Sequence, residues 1–440
     1  MWYEFFVHVK KTLGFSGLRR ILADRLRQTE DYREGNKVDY SLHDCFMSGL
    51  AMMYFQDPSL LAFQRRLQEI HQRNNLMTLF QVSAIPKDTQ LRDVLDHISY
   101  ERLEEVFSDY FFQLQRGKHL EGYQFMPGKY LIAIDGSEYF SSEKILCAGC
   151  LVKNSKKSGK THYHHQILQA TLVHPTKKHV IPLAPEAIKN VDGSDKQDCE
   201  INAGKRLIQK IRAAHPKLGI IIVGDGLYSK QPFIEGLKSH GMSFILVAKP
   251  DDHTMMMEWV SEQKQLGEAS RLEFKDPKGR QHVYEWVNDV PLNGKQESVT
   301  VNYFEYRLIV DGKTTYKNSW VTDRAINRDH VIDLVKGGRS RWKIENEVFN
   351  TLKNQGYHLE HNFGHGEKHL SMNFFLLNLL AFFMHQILEL TDPLYQRCRA
   401  KFSSRIEYWN QLRCTIRIML FEGWEDLLQM IIAPPEARPP

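Results

Sequence analysis

The sequence predicts an α/β protein in which helices pack on a mixed β-sheet, with helical regions before and after the sheet along the chain. Apolar residues at helical spacing fill the chain up to about residue 125, strand-like runs begin at Lys129, and helical texture returns at Asn327. The 440 residues, 42% hydrophobic and 25% charged, are enough for two or three domains with their own cores. These changes predict five segments: residues 1–125, 126–257, 258–322, 323–368 and 369–440.

The segment 1–125 is predicted to be helical throughout, as in the stretches SGLRRILADRLRQ and SLHDCFMSGLAMMYF. Its arginines are candidate phosphate contacts, although solvated arginines are also ordinary on helices. Both interpretations stay open for Arg19, Arg20, Arg25, Arg27, Arg65, Arg66 and Arg73.

The segment 126–257 has the pattern of a layered α/β unit. Its first three strand-like runs are KYLIAIDGSEYF, ILCAGCLV and HYHHQILQATLVHP. A helix, a strand, a second helix and a last strand follow, in the stretches KQDCEINAGKRLIQKIRAA, LGIIIVGDG, FIEGLKSHG and MSFILVAKP. The uninterrupted apolar run LGIIIVG is typical of a strand in the middle of a sheet.

The segment 258–322 predicts a β-rich insertion, because RLEFKD, HVYEWV, SVTVNYFEYRLIV and TTYKNSWVTD are strand-like. The segment 323–368 returns to the α/β unit with a helix that carries Glu345, and the segment 369–440 is helical. Leu370 to Leu388 has no formal charge, but Asn373, Asn378, His385 and Gln386 interrupt it. We therefore expect a buried core helix there and no membrane span.

The charge and cysteine content limit the possible partners and compartments. The net charge of +5, from 58 Lys and Arg against 53 Asp and Glu, permits an acidic polymer as partner without requiring one. Six cysteines in so long a chain do not form a disulfide framework, which favours a reducing cytoplasm.

Three carboxylates form the principal candidate site. Asp135 and Asp225 each end a predicted buried strand, where side chains project into the crevice above an open sheet. In the stretch Arg339–Lys353, counting about 100° per residue places Glu345 on the apolar side and Glu347 away from it. The apolar arc contains Trp342, Ile344, Val348, Phe349 and Leu352.

A carboxylate on the buried side must be paired or bound to metal, because an isolated buried charge is too costly. One interpretation is an ordinary ion pair between Arg341 and Glu345, four residues apart on the helix. The other is a site in which Asp135, Asp225 and Glu345 converge, since carboxylates in one crevice repel each other unless cations neutralise them. An all-oxygen site suits Mg²⁺ or Mn²⁺. We predict that Glu345 faces inward as a metal ligand.

The order of two aspartates at strand ends, a β insertion and a glutamate on a helix resembles the DDE transposases of bacterial insertion sequences, which have an RNase H-like fold. In particular, the chain resembles the branch with the signature Tyr-x2-Arg-x3-Glu-x6-Lys, which Arg341 and Glu345 match as RWKIE. Gly338 stands at the tyrosine position, and Leu352 stands at the lysine position with Lys353 one residue later. The resemblance covers roughly residues 131–369.

The resemblance implies the reaction and its partners. Asp135, Asp225 and Glu345 would hold two Mg²⁺ or Mn²⁺ ions, and the enzyme would cut double-stranded DNA at the ends of the element, freeing a 3′-hydroxyl that attacks target DNA. A homodimer on DNA, with segment 1–125 as a DNA-binding region, is expected in a bacterial cytoplasm and at the nucleoid. The alternatives are a related nuclease without strand transfer and a transposase-derived DNA-binding protein without catalysis.

Further DNA contacts are expected at separate positions. The signature implies contacts at Arg341 and Lys353, and the basic loop after ILCAGCLV adds Lys153, Lys156 and Lys157. The resemblance also implies that an insertion aromatic, Trp320 or Trp286, stacks on a displaced base. Strand aromatics are more often core residues, so both interpretations stay open.

A second metal site is a further hypothesis. Cys147 and Cys150 form CAGC, which has the Cys-x2-Cys spacing of zinc sites. The candidate further ligands are His162, His164, His165 and Cys199, and we select His165 and Cys199 for a structural zinc site. Small buried thiols on a strand are the alternative. His361, His365 and His369 are instead expected in a loop that contacts DNA phosphate, because Gly364 and Gly366 interrupt a helix there.

Overall fold

A computed structural model describes residues 12–434, apart from 34, 36–37, 69–73, 157–158 and 191–196. Its centre is one mixed sheet of twelve strands, in the order β3-β4-β2-β7-β8-β12-β11-β10-β9, with β1 pairing with β2 and both β5 and β6 pairing with β4. The strands are β1 (Gln124–Met126), β2 (Lys129–Ser142), β3 (Leu151–Asn154), β4 (Thr161–Val173), β5 (Ile181–Pro182), β6 (Glu186–Ile188), β7 (Gly219–Gly224), β8 (Ser243–Val247), β9 (Ser270–Lys275), β10 (Gln281–Pro291), β11 (Thr300–Val310) and β12 (Lys313–Thr322).

The helices lie in three groups along the chain. The first group is α1 (Phe15–Arg27), α2 (Leu42–Tyr54), α3 (Leu60–Gln68), α4 (Asn75–Phe80), α5 (Asp88–His97) and α6 (Glu101–Arg116). The sheet helices are α7 (Glu200–Ala214), α8 (Gln231–Ser239), α9 (Thr254–Gln265), α10 (Val331–Arg339) and α11 (Asn350–Asn354). The last group is α12 (Leu370–Thr391), α13 (Pro393–Arg399), α14 (Arg405–Ile418) and α15 (Trp424–Ile432). The mixed sheet, with helical regions before and after it along the chain, confirms the predicted fold class.

The parallel strands β2, β7 and β8 form the middle of the sheet. Their apolar runs are fully buried, as Ile220 to Val223 in β7 illustrate. Continuous burial of this kind is expected for parallel strands, whose two faces are both covered. The predicted run LGIIIVG therefore lies where its composition places it.

The insertion continues the same sheet. β12 pairs antiparallel with β8, with Trp320 opposite Val247, and β9 to β12 form an antiparallel meander. The expected base-stacking role of Trp320 is wrong in this fold, because its side chain is completely buried between β8 and β11 and stacks on Phe304 at a centroid distance of 5.3 Å. Trp286 is buried as well. Both tryptophans are therefore core residues of the insertion.

The N-terminal and C-terminal helices share one core around α12. The amide of Asn373 in α12 donates to the carbonyl oxygens of Leu95 (2.6 Å) and Ile98 (2.8 Å), and the ring of Phe15 stacks on Trp424 at 4.6 Å. Within the described residues, α12 is the one helix long and apolar enough to cross a membrane by length and composition, and 83% of its most apolar window is buried. The expected core helix is confirmed.

Several of the candidate arginines stabilise this helical core. Arg19 is buried and donates to the carbonyl oxygen of Leu79 (2.8 Å), and Arg25 and Arg66 pair with carboxylates of the same region. The exposed candidates are Arg20, Arg27 and Arg65. Arg73 lies outside the described residues.

Candidate active site

Asp135 and Asp225 come from neighbouring parallel strands. β2 and β7 pair in register up to Ala133 opposite Val223, and each aspartate stands two residues beyond that pair. Because side chains two residues apart point to the same face of a strand, the two carboxylates project from adjacent positions. Asp135 is still inside β2, whereas Asp225 follows the end of β7 and accepts the backbone N–H of Leu227 at 2.9 Å.

Glu345 lies on a π-helical turn, Ile344–Phe349, between α10 and α11. The N–H of Asn350 donates to the carbonyl oxygen of Glu345, five residues back, as a π turn requires. Turns of this kind are rare and are frequent at functional sites. The sequence prediction used a regular α-helix over Arg339–Lys353, which would not contain this turn.

The burial of the side chains in this stretch differs from the predicted helical arc. Trp342, expected on the apolar arc, is 43% exposed, while Lys343 is buried and donates from Nζ to the carbonyl oxygen of Lys177 at 2.7 Å. Glu345 is not buried either, because its side chain is 48% exposed. The prediction of an inward Glu345 therefore needs correction: the carboxylate lies at the edge of the crevice rather than inside it.

Arg341 connects the helix to the sheet. Its Nη1 lies 2.7 Å from Oε1 of Glu345 and 3.3 Å from Oδ2 of Asp135. The i, i+4 ion pair of the first interpretation therefore forms, and the same guanidinium also faces the first aspartate. The guanidinium of Arg341 therefore contacts the carboxylates of both Asp135 and Glu345.

A fourth carboxylate, Glu200, was missed by the sequence analysis. It is the first residue of α7, where its Oε1 accepts from Nε2 of Gln166 (2.6 Å) and its Oε2 accepts from the hydroxyl of Tyr228 (3.2 Å). A Cβ on residue 136 would lie 2.4 Å from Oε1 of Glu200, so Gly136 allows this close approach. The only sequence signal was an acidic residue at a helix N-terminus, which is common for dipole reasons alone.

The electrostatics of Asp135 reflect this crowding. Burial raises the pKa of Asp135, the charge of Arg341 opposes the shift, and the negative charges of Glu345, Asp225 and Glu200 reinforce it, so that the pKa reaches about 7. A carboxylate held in this way gains from a nearby cation. The donor set, all carboxylate oxygens, fits Mg²⁺ or Mn²⁺.

The expected DNA-contacting lysines lie at two places. Lys353 is in α11, where Nζ lies 2.9 Å from Oε1 of Glu360, while Leu352 at the signature position is buried. A π turn takes up one more residue than an α turn. Lys353 stands one position later than the signature lysine, shortly after the π turn Ile344–Phe349. Lys153 and Lys156 are exposed on β3 and the turn after it, and Lys157 lies outside the described residues.

Three of the four residues proposed for zinc come together, but with a different fourth partner. Cys147, Cys150 and His165 are joined by His365. Cys199 is exposed immediately before α7 and is not part of this group, so its selection was wrong. His365, expected to contact DNA phosphate, is 8% exposed and lies within the cluster.

The family model described as the transposase DDE domain matches residues 128–384. The chain belongs to this family. The match begins just before β2 and ends inside α12, and it includes Asp135, Asp225, Glu345 and the whole insertion. The protein is therefore a transposase, an enzyme that acts on DNA, with the RNase H-like fold implied by the resemblance. No curated protein shows significant similarity to the sequence.

Proposed function

We propose that this transposase cuts DNA at the ends of an insertion sequence and transfers the freed 3′-hydroxyl ends to target DNA. The observation that carries the proposal is that Arg341 contacts both Asp135 and Glu345, while Asp225 follows the neighbouring parallel strand two residues beyond the last registered pair. Asp135 is in β2, Asp225 directly follows β7, and Glu345 is on the π-helical turn, so three separate elements supply the carboxylates. A family membership that already implies DNA as substrate supports the same reaction.

Asp135, Asp225 and Glu345 are the residues that would hold Mg²⁺ or Mn²⁺. Two bound ions would supply the charge that activates a nucleophile and stabilises the leaving oxygen in phosphoryl transfer. Because the pKa of Asp135 is raised to about 7, positive charge nearby is needed to hold this carboxyl in the deprotonated form that binds metal. Half-exposed Glu345 lies where DNA phosphate can reach it, whereas Asp135 fixes the inner end of the site.

Arg341 and Lys353 are proposed to position the DNA backbone. Arg341 is 22% exposed and already lies between two carboxylates, so its guanidinium can turn toward a phosphate when cations neutralise them. We assign Lys353 the role of the signature lysine, because the extra residue of the π turn moves the lysine position one residue later in the sequence. The exposed Lys153 and Lys156 add charge at the far edge of the sheet. We also propose a homodimer that holds both element ends, with the N-terminal helices contributing to DNA binding.

Cleavage of DNA that carries the flanking repeats of the gene tests the proposal. We expect Mn²⁺-dependent, site-specific cutting that is lost in Glu345→Gln and retained in the matched variant Glu347→Gln. Asp135→Asn and Asp225→Asn should abolish cutting and leave binding of the repeats intact. Retained cutting in either variant would remove that aspartate from the site.

The DNA products of the reaction distinguish this function from the two alternatives. Joining of cut ends to new DNA supports the transposition reaction. Cutting without joining under any condition would favour a nuclease. Specific binding of the repeats with no cutting by the unaltered protein would favour a DNA-binding protein without catalysis.

A further inference from the structure

We propose that Cys147, Cys150, His165 and His365 bind one structural zinc ion, at a site separate from the carboxylates. The two cysteines lie between β2 and β3, His165 is on β4, and His365 is in the segment that leads into α12. His165 and His365 are 200 residues apart in the sequence, so only the fold brings them together. Cys150 and His365 are buried.

The distances among the four ligand atoms are those of a tetrahedral zinc site. Bonds of about 2.3 Å to sulfur and about 2.0–2.1 Å to nitrogen give tetrahedron edges of about 3.8 Å (S to S), about 3.6 Å (S to N) and about 3.3 Å (N to N). The observed separations are 3.8 Å between the two Sγ atoms, 3.5 and 3.6 Å from Nε2 of His165 to these sulfurs, 3.4 Å from Nε2 of His365 to Sγ of Cys150, and 3.1 Å between the two Nε2 atoms. Five of the six edges therefore agree with these values within about 0.2 Å.

The surroundings fix the imidazole of His365 in a ligand-ready form. Its Nδ1–H donates to the carbonyl oxygen of Gly366 at 2.7 Å, which leaves the lone pair of Nε2 directed at the cluster. Histidines that bind metals usually make such a hydrogen bond with the other ring nitrogen. The ring also packs against Phe140 at a centroid distance of 4.5 Å. The backbone N–H of Cys147 donates to Sγ of Cys150 at 3.4 Å.

A disulfide or a pair of ordinary thiols fits the cluster less well than zinc does. A disulfide needs its sulfurs at about 2.0 Å, whereas these are 3.8 Å apart. Ordinary buried thiols account for the cysteines, but they give no reason for two imidazole nitrogens to meet the same sulfurs. Thiolate and imidazole ligands select zinc, while all-carboxylate sites select Mg²⁺ or Mn²⁺. The two sites therefore bind different ions.

The zinc site would fasten two parts of the DNA-facing surface. Cys150 directly precedes β3, which begins the basic β3–β4 hairpin with Lys153 and Lys156. His365 lies in the segment that follows Lys353, so zinc binding would anchor that segment. At the end of the segment, Asp96 accepts hydrogen bonds from the backbone N–H groups of residues 367 to 370 at 2.9–3.0 Å. Zinc would thus set the position of the hairpin relative to the segment beyond the Glu345 helix.

Metal analysis of the full-length purified protein tests the site. We expect about one zinc ion per chain and an X-ray absorption spectrum with two sulfur and two nitrogen ligands. Cys150→Ser and His365→Asn should lose the zinc, whereas the matched variants Cys199→Ser and His361→Asn should keep it. Asp135→Asn should also keep it, which separates this metal from the active-site ions whether or not the enzyme cuts DNA.

Several results would overturn the proposal. One is substoichiometric zinc in protein produced in zinc-supplemented medium, and another is a ligand shell of oxygens without sulfur. Zinc lost in Cys199→Ser but kept in His365→Asn would also exclude this ligand set. If the ligand variants do not fold, the absorption spectrum of the unaltered protein loaded with Co²⁺ tests the site instead. Tetrahedral thiolate coordination gives sulfur-to-cobalt charge-transfer bands that an oxygen site lacks, so their absence would contradict the proposal.

Discussion

The indole nitrogen of Trp320 lies 2.6 Å from the position that a Cβ on residue 338 would take. Gly338 stands in α10 at the place where the signature of the related transposases has tyrosine. Trp320, from β12, fills the space above this glycine and is itself completely buried. A larger side chain at position 338 would therefore meet this indole.

Gly338→Ala should destabilise the protein. Glycine to alanine inside a helix normally stabilises by up to about 1 kcal/mol, but overpacking against a buried indole costs about 1–3 kcal/mol. We expect a net loss in the free energy of unfolding, measured by denaturant titration. Gly236→Ala in α8, where the new methyl meets only the end of Ile208 at 3.3 Å, is the control and should cost less. An unchanged or higher stability of Gly338→Ala would contradict the packing described here.

Glu200→Gln should weaken binding of the active-site ions. The substitution keeps the shape of the side chain and removes one of the negative charges that act on Asp135. A loss of about 1 kcal/mol corresponds to a roughly fivefold higher Mn²⁺ concentration for half-maximal cutting. Glu138→Gln, an exposed change on the same strand as Asp135, is the matched control and should leave this concentration unchanged. Equal shifts in both variants would mean that Glu200 has no particular role.

Lys353→Ala should reduce the salt dependence of DNA binding. Removal of one lysine that contacts a phosphate lowers the slope of log affinity against log salt by about 1. The measurement is a series of binding titrations at increasing salt concentration. Lys336→Ala removes the same charge from an exposed position in α10, where it pairs with Asp333, and should leave the slope unchanged. An unaltered slope in Lys353→Ala would show that the π turn does not bring this lysine to the DNA.

Glu389 should make the helical core sensitive to acid. Burial opposes its ionisation, but hydrogen bonds from His179 and Arg405 and the charge of Arg405 lower the pKa of Glu389 to about 2. In the unfolded chain, the pKa of Glu389 has its ordinary value of 4.5. The ionised carboxylate therefore stabilises the fold above pH 4.5, and this stabilisation is lost as the pH falls from 4.5 toward 2.

The slope of unfolding free energy against pH measures this contribution. Glu389→Gln should be less stable at neutral pH, since it leaves Arg405 without its partner at 3.0 Å, and its stability should fall less steeply below pH 4.5. Glu121→Gln, at an exposed turn, is the control and should keep the steep dependence. The same slope in Glu389→Gln as in the unaltered protein would assign the acid sensitivity to other groups.

The sequence was sufficient where local pattern determines structure. The apolar runs before Asp135 and Asp225 predicted two buried strands, and these strands are neighbours in the sheet, so that both aspartates stand at the same edge. Periodicity alone could not reveal the π turn, because each residue of Ile344–Phe349 is compatible with an ordinary α-helix. The exposure of Trp342 and the burial of Lys343, which directly precede that turn, also differ from the predicted arc.

Long-range pairing accounts for what the sequence could not predict elsewhere. Cys147 and Cys150 were recognisable from their spacing, but His365 reaches them from 215 residues beyond Cys150 through the fold. Cys199 was closer in sequence and had the right chemistry, yet α7 directs it to solvent. Alternation along β12 could not tell whether Trp320 faces solvent or α10, because both faces of this sheet are covered near β8.

The core shared by the first and last helices has a consequence for biosynthesis. The side-chain amide of Asn75 donates to the carbonyl oxygen of Ile416, 341 residues later in the chain. At about 5–20 residues per second, the ribosome needs roughly 20–70 s to make that intervening length. For most of this time α12 has not yet been made, so the apolar surfaces of α1 and α2 are uncovered and nascent chains should depend on chaperones. A transposase gene interrupted before α12 would then yield a product that cannot complete this core and that proteases should remove.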